Sequence, residues 1–224
     1  MESLLPNFKI NINDSLYLKD PESSELGRKI ISNGIQLIEK LGIEDFTFKK
    51  LASQIHSNES SVYRYFENKH KLLLYLSTLY WGILEYHLVF ETTGMKDDKK
   101  KLIKAVEIII SNPEEFFTTF EIDANKLKKI INSEFVKVYH NKSVEEENKS
   151  RYFATYKRLI FRISKMIETV KPDYQYSQSL ASLIVEGSLS HYFLSEHFEN
   201  LTDCHSTKHI RLFYQDLLTK TLKI

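Results

Sequence analysis

The run Leu51-Ala52-Ser53-Gln54-Ile55-His56-Ser57-Asn58-Glu59-Ser60-Ser61-Val62-Tyr63-Arg64-Tyr65-Phe66 decides how this chain reads. Leu51, Ala52 and Ile55 share one face of a helix, and Val62 and Phe66, four residues apart, share a face of the next. His56-Ser57-Asn58 breaks the chain between them, and Asn58 suits the N-cap of the later helix. Two short helices joined by so short a turn are the second and third members of a helix-turn-helix. Ser60, Ser61, Tyr63 and Arg64 are left facing outward on the third helix, with Asn58 at its start. Small hydroxyls permit close approach to a major groove. Arg64 can read a base edge or clamp a phosphate, and Tyr63 and Tyr65 can reach phosphates.

Working outward, Thr47 is an N-cap for a second helix over Phe48–Ile55, with Phe46 and Leu51 at the two hydrophobic-staple positions. The third helix is expected over Glu59–Phe66. A first helix, from Pro21 or Glu22 to Leu41, places Leu26, Ile30, Ile31, Gly34, Leu37, Ile38 and Leu41 on one stripe, and Gly42 stops it. Asn68 caps a fourth helix from Lys69 to about Phe90. Lys49 and Lys50 sit in the first turn of the second helix, and Lys69 and Lys71 in the first turn of the fourth. Cations are unfavourable there because the helix dipole is positive. Phosphates supplied from outside rationalise the placement.

Composition agrees with an all-helical chain. Among 224 residues there are 6 Gly and 4 Pro, where ordinary usage gives about 16 and about 11. A turn-rich sandwich or a Gly-looped nucleotide fold needs more. The single cysteine, Cys204, excludes an intrachain disulfide framework and a multi-Cys zinc site. No apolar run reaches membrane-span length, and residues 1–24, a polar lead-in with a few apolar anchors, lack a signal core. The cytoplasm is the expected location. Further helices are expected from Asp97 to Ile110, from Pro113, from Asp123 to about His140, from Glu145 to Val170, and over Tyr174–Phe198 and Thr207–Leu222, giving about nine in all.

Residues 25–85 resemble the DNA-binding half of TetR-family transcriptional regulators. The match lies in Phe46-Thr47-Phe48-Lys49-Lys50-Leu51-Ala52, in Ser61-Val62-Tyr63-Arg64-Tyr65-Phe66 and in Asn68-Lys69-His70-Lys71-Leu72-Leu73. The tail Tyr63-x-Tyr65-Phe66-x-Asn68-Lys69-x-x-Leu72-Leu73 is far more specific than a bare helix-turn-helix. The sequence departs from the family at His56-Ser57, where Gly then Val is usual, and at Glu59, where a basic or small residue is common. The resemblance implies a helix-turn-helix domain over 25–75 and a helical effector-binding and dimerisation domain over 76–224. It implies a homodimeric repressor on palindromic double-stranded DNA, with Thr47, Lys49, Lys50, Asn58, Ser60, Ser61, Tyr63, Arg64, Tyr65 and Lys69 at the DNA. A small-molecule effector, apolar or aromatic, would sit near Trp81, Phe117, Phe120, Tyr156 and His191. The alternative is a helical ligand-binding or protein-interaction dimer of the same fold that binds operator weakly or not at all.

The closing helices fit dimerisation on their own terms. Ala181, Ser188 and Ser195 recur every seven residues beside Gly187, and small residues let helices approach closely. Ile184, Phe213 and Leu217 would fill the seam, although intrachain packing explains the same pattern. Enzyme motifs are missing: no phosphate loop, no Gly-x-Ser-x-Gly and no His-Glu-x-x-His. No cofactor is expected. Asp203, Cys204, His205 and His209 form a weaker candidate for a metal. The chain carries 31 basic and 30 acidic residues, yet within Thr47–Lys71 five cations, Lys49, Lys50, Arg64, Lys69 and Lys71, face only Glu59 and Glu67. The overall balance hides a local cationic face.

Overall fold

The computed structural model describes residues 10–111 and 122–224, and these contain ten α-helices and no strand. The helices are α1 (Glu25–Asp45), α2 (Phe48–Gln54), α3 (Glu59–Tyr63), α4 (Lys69–Thr92) and α5 (Asp98–Ile110), then α6 (Ala124–Tyr139), α7 (Val144–Lys149), α8 (Ala154–Val170), α9 (Ser177–His197) and α10 (Thr207–Leu222). The helix expected from Pro113 lies outside the described residues, as do Phe117 and Phe120.

The residues divide into two compact units that do not follow chain order. One holds residues 10–82 and 122–154, the other 83–111 and 155–224. A division at residue 75 follows the helix-turn-helix motif, whereas these units follow packing: α6 lies along α1, and α4 contributes its first half to one unit and its second half to the other.

In the first unit the apolar stripes read from sequence close on one core. Ile30, Ile31, Ile35 and Ile38 of α1, Phe48 and Leu51 of α2, Val62 of α3 and Leu72, Leu73 and Leu76 of α4 are buried. The lead-in from Ile10 onward docks here, with Leu16 buried and the Leu18 N–H donating to the Tyr65 carbonyl at 2.8 Å. Pro21–Ser23 forms a separate 3-10 turn, and Ser24 caps α1 by accepting from the Gly27 N–H at 3.2 Å. Gly27 is required at this junction, since a Cβ there would come within 2.1 Å of the Pro21 carbonyl.

Gly42 interrupts α1 as expected, at φ 72° and ψ 162°, after which helical bonding resumes to Asp45. The kink exposes main-chain groups that other elements answer. The Glu134 carboxylate on α6 accepts from the Ile43 N–H at 3.0 Å, and Lys69 Nζ donates to the Ile43 and Glu44 carbonyls at 2.8 and 2.9 Å.

The helix expected over Glu145–Val170 is two helices. Arg151 takes φ 62°, and the Tyr152 N–H folds back to the Glu147 carbonyl at 3.1 Å. Asn13 holds the Ser150 carbonyl at 2.8 Å from the lead-in, and Glu147 is buried against His70 at 2.6 Å. Periodicity alone runs through this break because Tyr152 and Tyr156 keep the helical spacing on either side of it.

In the second unit α5 packs on α9 and α10. Leu102, Val106, Ile109, Leu159, Ile163, Ile184, Ile210 and Leu218 form its core. Glu85 is buried and paired with two arginines of α8, Arg158 Nε at 2.7 Å and Arg162 Nε at 2.7 Å. By length and composition α4 could cross a membrane, but most of its apolar stretch is buried inside the protein.

Candidate nucleic-acid interface

Thr47 accepts from the Lys50 N–H at 3.2 Å and so starts α2, and the staple residues Phe46 and Leu51 are fully buried. The turn after α2 closes through the Ser57 N–H donating to the Ala52 carbonyl at 2.9 Å. It requires a left-handed residue, and His56 supplies it at φ 53°. Glycine adopts that conformation freely, whereas an L side chain meets the following carbonyl.

Asn58 starts α3. Its Oδ1 accepts from the Ser61 N–H at 2.8 Å and from the Ser60 and Ser61 hydroxyls, each at 2.7 Å. One carboxamide therefore orients both serines at the head of this short helix. Tyr63 stands half out, its ring edge-on to Phe48 of α2 at 5.0 Å. Gln54 ties the end of α2 to α1, donating to Asn33 Oδ1 at 2.9 Å. Thr47, Lys49, Lys50, Asn58, Ser60, Tyr63 and Arg64 are exposed, while Ser61 and Lys69 are partly covered.

Two expectations need correction. Tyr65 was expected to reach phosphate, but it is 3% exposed, with its hydroxyl on Ser24 Oγ at 2.7 Å. It is a core residue because the lead-in packs over it, and Lys19 Nζ lies 5.1 Å from its ring centre. The second concerns the lysines at helix starts. Lys50 Nζ donates to the Asp45 carbonyl at 2.7 Å, and Lys69 Nζ reaches back to the Ile43 and Glu44 carbonyls. Lys71 donates to the Ser15 carbonyl at 3.2 Å and to the Tyr152 hydroxyl, with its ammonium 4.1 Å from that ring centre. Carbonyl oxygens at the end of α1 and in the lead-in thus supply much of the negative potential that the sequence assigned to an outside anion. Lys49 and Arg64 keep exposed side chains. His56 stands exposed in the turn itself, and Lys19 of the lead-in lies over the Tyr65 ring. Sequence reading names His56 only as a departure in the turn and gives Lys19 no role, because neither lies on a helix.

The described residues do not assemble the expected effector pocket within one unit. Trp81 belongs to the first unit, is 1% exposed, and donates its indole N–H to the Tyr139 hydroxyl at 2.6 Å. Tyr156 and His191 belong to the second. The Tyr156 hydroxyl donates to Glu186, and His191 packs on Phe213 at 5.0 Å, where burial lowers its pKa.

The expected dimer seam also changes. Ala181, Ile184 and Ser188 are buried within the chain itself, where α9 meets α5 and α10. Gly187 belongs to the same packing, since a Cβ on it would come within 2.3 Å of the Tyr214 hydroxyl. Ser195 and Leu217 are partly covered, and of the named residues only Phe213 is open. Leu183 and Phe193 of α9 and Leu212 of α10 are exposed as well. For the metal candidate, Cys204 is buried while Asp203, His205 and His209 are exposed, and His205 precedes the Ser206 cap and so is not on the α10 face that carries His209. No three His, Cys, Asp or Glu side chains among the described residues converge to hold a metal ion.

Residues 30–76 match the model of the family described as bacterial regulatory proteins, tetR family. Among curated proteins none matches the sequence. Solved structures resemble it along most of its length. A putative transcriptional regulator from Saccharomonospora viridis in complex with choline has a TM-score of 0.63 at 17% identity, covering 85% of this chain and 94% of that one. AibR in complex with isovaleryl coenzyme A and operator DNA has a TM-score of 0.59 at 13% identity, covering 87% and 97%. The TetR-family regulator PfmR from Thermus thermophilus has a TM-score of 0.55 at 14% identity, covering 85% and 97%. Residues 30–76 thus carry the helix-turn-helix of the bacterial regulatory proteins of the tetR family, and the chain shares its all-helical fold with solved regulators along most of its length.

Proposed function

We propose that the protein is a cytoplasmic DNA-binding transcriptional repressor acting as a homodimer on a palindromic operator, and that a small-molecule effector modulates its binding. The observation that carries this reading is the α2–α3 arrangement. Thr47, Lys49, Asn58, Ser60, Tyr63 and Arg64 are exposed together on two capped helices joined by a closed turn. In the proposal α3 enters the major groove, Arg64 reads a base edge, Tyr63 and the serines make close contacts, and Lys49, Lys50 and Thr47 meet the backbone.

Dimerisation would use the exposed apolar side of α9 and α10, at Leu183, Phe193, Leu212 and Phe213, in place of the small-residue stripe. The effector would act on the helical part beyond residue 75 by favouring one spacing of the two reading heads over another. An apolar or aromatic molecule is proposed from the density of aromatic side chains there. Two structural relatives are described with isovaleryl coenzyme A and with choline. The test is a mobility shift with DNA from upstream of the gene across a salt series. Arg64→Ala should relax sequence preference, and absence of salt-dependent binding to any genomic fragment refutes the reading. That outcome would favour the second reading, a dimer of this fold without operator binding, for which Glu59 on α3 and the internal bonding of Lys50, Lys69 and Lys71 speak.

A further inference from the structure

The exposed apolar side of α9 and α10 carries histidines. Along α9, Leu183, Glu186, Ser190, Phe193 and His197 fall at helical spacing on one exposed stripe. His197 packs its ring on Phe193, 4.7 Å between centres, and His191 packs on Phe213 of α10 at 5.0 Å. Phe193 and Phe213, 39% and 42% exposed, are the two aromatic rings of the proposed dimer face, and each therefore carries an imidazole. Given that dimer face, on which the inference rests, we propose that His191 and His197 make it a pH-sensitive interface between two copies of the chain, closed while both rings are neutral and opened by their protonation.

Histidine is the side chain whose charge ordinarily changes near neutral pH. A neutral imidazole beside a phenyl ring is flat and largely apolar, so a second subunit can cover it at little cost. Covering an imidazolium takes a charge out of water, which is unfavourable without a counter-ion. Attraction between the cation and the ring does not offset this, because the separated subunit makes the same contact and keeps its solvation.

The surroundings supply little counter-charge. His191 is half-buried beside Phe213 and Tyr214, with Thr202 Oγ1 at 3.4 Å from its Nδ1, and burial lowers its pKa with no charged neighbour contributing. α9 packs against α5, α10 and the 3-10 turn Glu199–Leu201. On α5, Glu107 accepts from Gln215 at 2.7 Å and Lys104 pairs with Glu91. On α9 the Glu186 carboxylate accepts from the Tyr156 hydroxyl, and on α10 Asp216 pairs with Lys220 at 2.9 Å. Lys208, His209 and Arg211 of α10 are cationic or titratable and would oppose a second positive charge, while Glu199 and Asp203 stand exposed between the helices. Among the described residues only Glu196 comes within ion-pair reach, 4.0 Å from His197 Nε2, and with both side chains more than half exposed that pair is screened and weak. Covering by a second subunit lowers a histidine's pKa further, so the dimer binds fewer protons than two separate subunits. Association is therefore complete above the pKa of the separated subunits and is lost as pH falls through it. Two reading heads meet DNA together only in the dimer, so acid would also release the operator.

Sedimentation equilibrium on the full chain at about pH 7.5 and about pH 5.5 tests this, with circular dichroism checking the fold at both. The dimer Kd should rise roughly tenfold or more at the lower pH, since each histidine counts in both copies. His197→Gln alters an exposed position and should by itself reduce the response. Combined with His191→Asn, which keeps a polar group for Thr202, it should hold Kd within about threefold across the two pH values. A Kd that is the same at both pH values, or tighter in acid, overturns the inference and leaves the dimer in place. So does a response undiminished in both variants. A monomer at both pH values overturns it together with the dimer face.

Discussion

Replacing Glu134 with alanine should loosen the junction that positions the helix-turn-helix. The side chain of Glu134 is 6% exposed, and its Oε1 accepts from the Ile43 N–H at 3.0 Å, just past the Gly42 kink. A hydrogen bond to a charged group contributes about 1.5–3 kcal/mol, and its loss here also strands a buried N–H. Lys137 Nζ lies 3.0 Å from Oε2 and 3.2 Å from Glu44, an ion pair whose lysine is 42% exposed and which adds at most about 1 kcal/mol after screening. The expected loss is therefore about 2–3 kcal/mol, a fall in Tm of roughly 5–10 °C for a chain of this size. Glu134→Gln keeps an oxygen for the Ile43 N–H and should cost only about 1 kcal/mol. Lys69→Ala removes the ammonium that binds the Ile43 carbonyl from the other side, so combining it with Glu134→Ala should be non-additive. Urea unfolding followed by circular dichroism gives all four values. An alanine variant within about 0.5 kcal/mol of wild type, or a glutamine variant as damaging as alanine, would refute the reasoning.

Other outcomes follow from the same geometry. His56→Gly relieves a left-handed side chain and should raise stability by up to about 1 kcal/mol, the strain relieved exceeding the backbone entropy added; a drop in Tm contradicts it. Burial pushes the Glu85 carboxyl up, but hydrogen bonds and charge from Arg158 and Arg162 outweigh this and leave its pKa below the ordinary 4.5. Its contribution to stability is complete above that value and is lost as pH falls through the lower folded one, so the Glu85→Gln variant should show a flatter loss as pH falls below about 5. An acid limb as steep as that of wild type argues against it. Leu183→Glu and Leu212→Glu alter exposed positions and should leave the fold intact while shifting sedimentation towards monomer; an unchanged sedimentation coefficient places the dimer face elsewhere.

The helix-turn-helix was legible in the sequence because its signals are local. Thr47 and Asn58 cap within three residues, Val62 and Phe66 are four apart, and the left-handed turn falls where the motif demands it. What the sequence hid depends on partners distant along the chain. The lysine ammonium groups turn inward because the α1 terminus and Ser15, unrelated to them in spacing, present carbonyls. Tyr65 is covered by Leu18 and Ser24 of a lead-in that reads as polar. The stripe Ala181, Ser188 and Ser195 identifies a face of close packing correctly but cannot say which helix approaches it, and α5 and α10 of the same chain do. Arg151 broke a helix that periodicity extends, since a left-handed arginine leaves no trace in an apolar pattern.

The most direct test of the central claim is the salt dependence of DNA binding by wild type, Lys49→Ala and Lys69→Ala, measured on the upstream fragment. For wild type, the logarithm of the affinity should fall linearly with that of salt concentration. Lys49→Ala should reduce the slope by about one, as expected for loss of one phosphate contact. Lys69→Ala, whose ammonium is engaged with the α1 carbonyls, should leave the slope close to wild type and lower stability instead. Affinity that is absent, or that does not change with salt, contradicts a helix-turn-helix working on DNA.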